Sequence, residues 1–130
     1  MSGHSKSFVV QRNARAASAE ELAPLAFSGY AHFTAMQVRG GLVRGLDLHL
    51  ARLRSASMTL FGQALPDDQV RSYLQAALEA SPADVSLVAT VYSPEGEFTA
   101  SGTGVPPELL IRTGPPASRA LDKSQEVKAG

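Results

Sequence analysis

The residues that could do chemistry are few. His4, His32 and His49 lie far apart and lack the HExxH spacing, so a metal site is not expected. With no cysteine, a disulfide framework, a thiolate nucleophile and a Cys-ligated zinc or iron–sulfur cluster are all excluded. A Ser-His-Asp hydrolase is not supported either: there is no GxSxG turn, His32 falls within a strand pattern and His49 in the first turn of a helix. The glycine-containing pieces GGLVRG and SGTGV match neither GxGxxG nor GxxxxGK[ST]. Asp67-Asp68 reads as helix N-terminal charge. Taken alone, Arg52 is a solvated helix arginine and His49 a packing or capping residue. The lysines are Lys6, Lys123 and Lys128.

The whole-chain properties narrow the setting. Twelve Lys and Arg balance twelve Asp and Glu over 130 residues, which leaves no global field to hold a nucleic-acid backbone or an anionic membrane. No apolar run approaches the roughly 18 residues of a membrane span, and MSGHSKSF has no apolar signal core. The expectation is a cytoplasmic, single-domain protein with no nucleic acid or membrane partner. Hydrophobic residues are 44% of the chain, many of them alanine, so the core should be thin.

The elements that must position these residues follow from periodicity. Phe8 to Arg12 reads as a short strand and Asn13 opens a turn. Ser18 and Glu21 form a capping box ahead of a helix over 19–25. Tyr30 to Val38, rich in aromatic and β-branched side chains, predicts a buried strand. Gly40-Gly41 turns the chain into a hairpin with Leu42 to Arg44. Asp47 is the expected N-cap of a helix over 48–61, whose stripe is Leu46, Leu50, Leu53, Leu60 and Phe61 and whose end is Gly62. Arg52 lies off that stripe, on the side of Leu48, Ser55, Ala56 and Thr59. A third helix begins at Pro66-Asp67-Asp68, buries Val70, Tyr73, Leu74, Ala77 and Leu78, and ends near Ser81-Pro82. Val85 to Val91 alternates as a strand closed by Pro94-Glu95-Gly96, and Leu109 to Arg112 is a last strand. The Pro- and Gly-rich tail beyond Pro94 cannot close a core by itself.

Residues 29–60, GYAHFTAMQVRGGLVRGLDLHLARLRSASMTL, resemble the N-terminal small domain of the class IV (fold type IV) pyridoxal-phosphate enzymes, a family of branched-chain and D-amino-acid transaminases and aminodeoxychorismate lyase. The resemblance rests on an ordered set: a glycine, a strand with an aromatic at Phe33, a V-x-G-G hairpin, then D-x-H-L-x-R-L from Asp47 to Leu53. It implies an α+β fold, a two-layer antiparallel sheet with helices packed on one face. It also implies that Arg52 binds the phosphate of pyridoxal 5'-phosphate, that Phe33 lines the substrate side, and that the enzyme is a homodimer. A planar guanidinium, always charged, can grip a phosphate with two donors, and Ser55 and Ala56 leave room beside it.

Glu126-Val127-Lys128-Ala129-Gly130 resembles the segment around the family's cofactor-bearing lysine, which assigns Lys128 to cofactor binding and to catalysis. Burial lowers a lysine's pKa and frees the amine for attack on an aldehyde. The implied reaction moves an amino group between an amino acid and a 2-oxo acid. An aminodeoxychorismate-type lyase is the enzymatic alternative, and a non-catalytic, partner-binding copy of the small domain is the rival from another class. Thr34 stands where many members carry an acidic residue. The expected organisation is a small domain over 1–114 and a Pro/polar tail over 115–130 that links to a second domain.

Overall fold

The computed structural model describes residues 6–26, 31–93 and 106–117. Its elements are β1 (Val10–Arg12), β2 (Arg15–Ala16), α1 (Ala19–Ala26), β3 (Ala31–Arg39), β4 (Leu42–Val43), α2 (Leu46–Phe61), α3 (Asp67–Ala80), β5 (Val85–Tyr92) and β6 (Glu108–Gly114). The strands form one antiparallel sheet in the order β2-β1-β6-β5-β3-β4. This is the expected α+β architecture.

Alternation decides which face is covered. On β3, Thr34, Met36 and Val38 are buried while Phe33 and Ala35 are exposed; on β5, Val85, Leu87, Ala89 and Val91 are buried in phase with them. Ala31 to Val38 pairs with Val85 to Tyr92 in unbroken register. The expected strand start at Tyr30 lies outside the described residues. Leu50, Leu53 and Phe61 of α2 and Val70, Leu74 and Ala77 of α3 complete the core on the covered face. Leu46, Leu60, Tyr73 and Leu78 pack against it from the margin, so both helical stripes fall where their spacing puts them.

The termini of the elements show local physics that the sequence carries. Ser18 and Glu21 exchange both bonds of a capping box, the Ser18 N–H donating to Glu21 Oε1 at 2.9 Å and the Glu21 N–H to Ser18 Oγ at 3.2 Å. The β3–β4 hairpin turns on Gly40 and Gly41 at φ 61° and 78°, the left-handed pair that a two-residue loop needs. It is tied to the α3–β5 connection: the Gly40 N–H donates to Asp84 Oδ1 at 2.8 Å and the Gly41 N–H to the Ala83 carbonyl at 2.9 Å.

Some expectations are corrected. Asp47 does not cap α2: the helix begins at Leu46 after Gly45 in the left-handed conformation with no side-chain cap, and Asp47, inside the first turn, accepts from Arg71 at 3.1 Å. The first strand begins at Val10, not Phe8, and β4 ends at Val43. Asn13 does turn the chain, but into a hairpin with β2, because Ala14 joins it at positive φ. β6 extends to both sides of the expected strand and lies in the middle of the sheet, where Leu109 and Ile111 enter the core. The tail beyond Pro94 therefore contributes a central strand. The Pro94-Glu95-Gly96 turn lies outside the described residues. Among the described residues no helix is long and apolar enough to cross a membrane.

Candidate functional site at the free end of β3

The site is set by a strand that outruns its neighbour. β4 pairs only with Val38 and Arg39, so toward Ala31 no described strand covers the outer edge of β3. Phe33 and Thr34, adjacent on this edge, point to opposite faces. Phe33 stands on the open face, 66% exposed, in register with Thr90 and, through it, Leu110. The next row carries Ala35, Val88, Arg112 and Val10. Arg112 is exposed and makes no ion pair with a described carboxylate. The Phe33 row continues through buried Leu110 to Arg12, so this part of the face combines apolar side chains with two cations, the ion-paired Arg12 and the exposed Arg112.

On the covered face, two hydroxyl–imidazole pairs join β3 to α2. His32 Nε2 and Ser57 Oγ are 2.8 Å apart, and the His32 ring lies 6.0 Å from that of Phe61. Thr34 Oγ1 and His49 Nδ1 are also 2.8 Å apart. Burial pushes the His32 imidazole below its ordinary pKa. His49 is lowered too, by burial first and by the neighbouring Arg52 cation second, against a hydrogen bond to the Arg44 backbone that raises it.

Arg52 follows His49 by three residues and so shares its side of α2. The side chain is exposed, and Nη1 donates to Thr34 Oγ1 at 3.2 Å. No described carboxylate pairs with it, although Arg12, Arg54 and Arg71 all have acidic partners. Arg12 is the opposite case. Its guanidinium makes a bidentate contact with Glu108 at 2.6 and 3.0 Å and a third with Glu21 at 2.6 Å, which commits its donors to joining β1, β6 and α1. Among the described residues the Arg52 side chain makes a single hydrogen bond, so most of its five donors have no described partner. Exposed Ser55 and half-buried Ala56 on the same helix leave space for one. The residues present thus fit a phosphate group.

Lys128 and its neighbours lie outside the described residues, as does Lys123. The structure therefore joins Arg52 to the strand that carries Phe33, with the two on opposite faces. The sequence marks Thr34 only as a departure from an acidic pattern and His49 as a packing residue; it does not show that Thr34 bonds to Arg52 and that His49 bonds to Thr34 beside that cation. Signals were available: Thr34 is a polar residue in phase with buried Met36 and Val38, and His49 and Arg52 are three apart. Among the described residues no cluster of three or more His, Asp or Glu could hold a metal. A cavity of about 510 Å³ between β4 and α3 lies away from Arg52 and is lined by Leu42, Val43, Leu46, Leu74 and Leu78 with Arg71 and Glu79 at its polar side.

The pattern of the family described as amino-transferase class IV matches residues 31–129, about three quarters of the sequence. The chain belongs to the class IV aminotransferase family. The match begins at the strand that carries Phe33 and Thr34 and takes in the Arg52 helix. Solved structures of similar fold include the T.th. branched-chain amino acid aminotransferase with pyridoxamine 5'-phosphate (11% identity, TM-score 0.57). Others are the M3 mutant of the branched-chain aminotransferase of Thermobaculum terrenum (20%, 0.61) and the apo form of a hypothetical aminotransferase of Mycobacterium tuberculosis (24%, 0.54). The matches cover 88%, 88% and 90% of this chain but only 41%, 42% and 42% of theirs. The chain thus spans about two fifths of the length of these aminotransferases. A search of the curated proteins returns no match.

Proposed function

We propose that this chain is the N-terminal small domain of a pyridoxal-phosphate-dependent class IV aminotransferase, which moves an amino group between an amino acid and a 2-oxo acid. The observation that carries the reading is the Arg52 guanidinium, exposed and unpaired with any described carboxylate, at the uncovered end of β3. Arg52 would hold the cofactor phosphate through charge-assisted, bidentate bonds. Phe33 would face the substrate across the edge of the strand. Lys128 would bond covalently to the cofactor and move the proton at the substrate Cα. When bound, the cofactor supplies an electron sink for the charge that develops at that carbon. The pyridoxamine 5'-phosphate named with one solved structure of the same fold supports this cofactor class. The proposed organisation is a small domain over 1–114, with 115–130 leading to a second domain, in a cytoplasmic homodimer. A lyase of the aminodeoxychorismate type would use the same phosphate anchor.

The test is an absorbance spectrum of the longest natural polypeptide that carries this sequence, mixed with pyridoxal 5'-phosphate. The expected result is an added band that borohydride abolishes, and that Lys128→Ala removes while Arg52→Ala only weakens the cofactor's binding. A spectrum equal to that of free cofactor plus protein would reject the proposal.

A further inference from the structure

We infer that Thr34 and His49 form a hydrogen-bond relay that holds the Arg52 guanidinium in its phosphate-binding position, with polarity Arg52 to Thr34 to His49. The inference rests on the reading of Arg52 as a phosphate ligand and adds two positioning residues to it.

The Thr34 hydroxyl sets the polarity. Its residue is 2% exposed, on a stripe otherwise occupied by Met36 and Val38, so water does not satisfy it. A buried hydroxyl must find partners, and it offers one donor and two acceptor lone pairs. A guanidinium can only donate, so the 3.2 Å contact from Arg52 Nη1 occupies a lone pair. The hydroxyl proton then needs an acceptor, and His49 Nδ1 is 2.8 Å away. This polarity requires a bare Nδ1 and a proton on Nε2.

The surroundings of the ring agree. β3 presents Thr34 to it, its own helix presents the Arg52 cation, and the β4–α2 turn presents the Arg44 backbone. The hydrogen bond with that backbone favours a proton on the ring, the direction expected when a ring N–H donates to a carbonyl. Burial and Arg52 both oppose a second proton. A doubly protonated ring would have no acceptor for Thr34 and would place a like charge beside Arg52.

The consequence is preorganisation. A long arginine side chain loses rotamer freedom when it is held in one geometry. Anchoring one donor on a buried hydroxyl, itself oriented by a fixed imidazole, removes part of that freedom before a ligand arrives. The remaining donors make no hydrogen bond to a described residue, and the side chain is exposed.

The experiment uses the ¹⁵N-labelled longest natural polypeptide that carries this sequence, and two readouts. Long-range ¹H–¹⁵N correlations of the His49 ring should show a neutral ring protonated at Nε2; a proton on Nδ1 at pH 7.5 would overturn the relay. Titration with pyridoxal 5'-phosphate, followed through the amide and guanidinium signals of Arg52, supplies the affinities. Thr34→Val, close in shape but without the hydroxyl, should weaken binding about three- to tenfold, the scale of one hydrogen bond. Thr34→Ser should stay within about twofold, because it restores the hydroxyl. His49→Asn, whose carbonyl oxygen can accept near the Nδ1 position, should retain more affinity than His49→Leu. In an Arg52→Ala background, Thr34→Val should cause no further loss. If Arg52→Ala binds like the unaltered chain, the phosphate reading itself fails. If Arg52→Ala weakens binding while Thr34→Val and His49→Leu do not, the relay is wrong and the phosphate reading stands.

Discussion

Arg52 owes its availability to what its neighbours are. Thr34, a neutral hydroxyl, accepts a hydrogen bond from the guanidinium without neutralising it, and among the described residues no carboxylate pairs with Arg52. Two half-buried histidines at the same β3–α2 junction give the site a pH dependence whose sign can be worked out. Both His32 and His49 have pKa values lowered from 6.5 in the folded chain. The unfolded chain therefore binds more protons in the window from about pH 6.5 down to the lowered folded values. Stability is fully present above about pH 6.5 and falls as pH drops through that window. Denaturant midpoints at pH 7.5 and at successive values below 6.5 should decrease, and His49→Asn should flatten part of the decline. A stability constant across this range would contradict the assigned environments. From the sequence, HLxRL marked Arg52; its link to Thr34 was not legible because it depends on the register between strand and helix.

At the scale of elements, the β3–hairpin–α2 unit is the part most legible in the sequence, because its signals are local. Gly40-Gly41 dictates the turn, Gly62 ends the helix at φ 72° with its N–H on the Met58 carbonyl, and the leucine stripe selects the buried face. Leu53 lies one residue from Arg52 and is buried against the sheet. Leu53→Ala should cost about 2–5 kcal/mol, the range for truncating a buried leucine, read as a drop in the unfolding midpoint. Gly41→Val should destabilise the hairpin by about 1–3 kcal/mol, since a β-branched residue at φ 78° is strained even where the space is open. A midpoint unchanged by Leu53→Ala would show that α2 does not rest on the sheet as described. The less legible elements fail for physical reasons. β2 depends on Ala14 at φ 65°, which no turn preference announces, and α2 begins on a left-handed Gly45, not on the Asp47 carboxylate. Neither departure moves Arg52 off its face.

At the scale of the molecule, strand order was the hidden quantity. β6 lies between β5, the strand before it, and β1, almost a hundred residues away in sequence, and only the assembled sheet reveals that Leu109 and Ile111 belong to the core. The same order places Phe33, Thr90, Leu110 and Arg112 on one face of the sheet, while Arg52 bonds to Thr34 on the other, so under the proposed reading phosphate and substrate would lie on opposite sides of β3. The central claim is that Arg52 is the phosphate anchor of a class IV aminotransferase domain, and calorimetric titration of pyridoxal 5'-phosphate into the longest natural polypeptide and its Arg52→Ala variant tests it most directly. Loss of the anchor should cost about 1.5–3 kcal/mol of binding, the scale of a hydrogen bond to a charged group, while the thermal midpoint moves little because the side chain is exposed. Equal affinity of the two proteins for the cofactor would contradict the account.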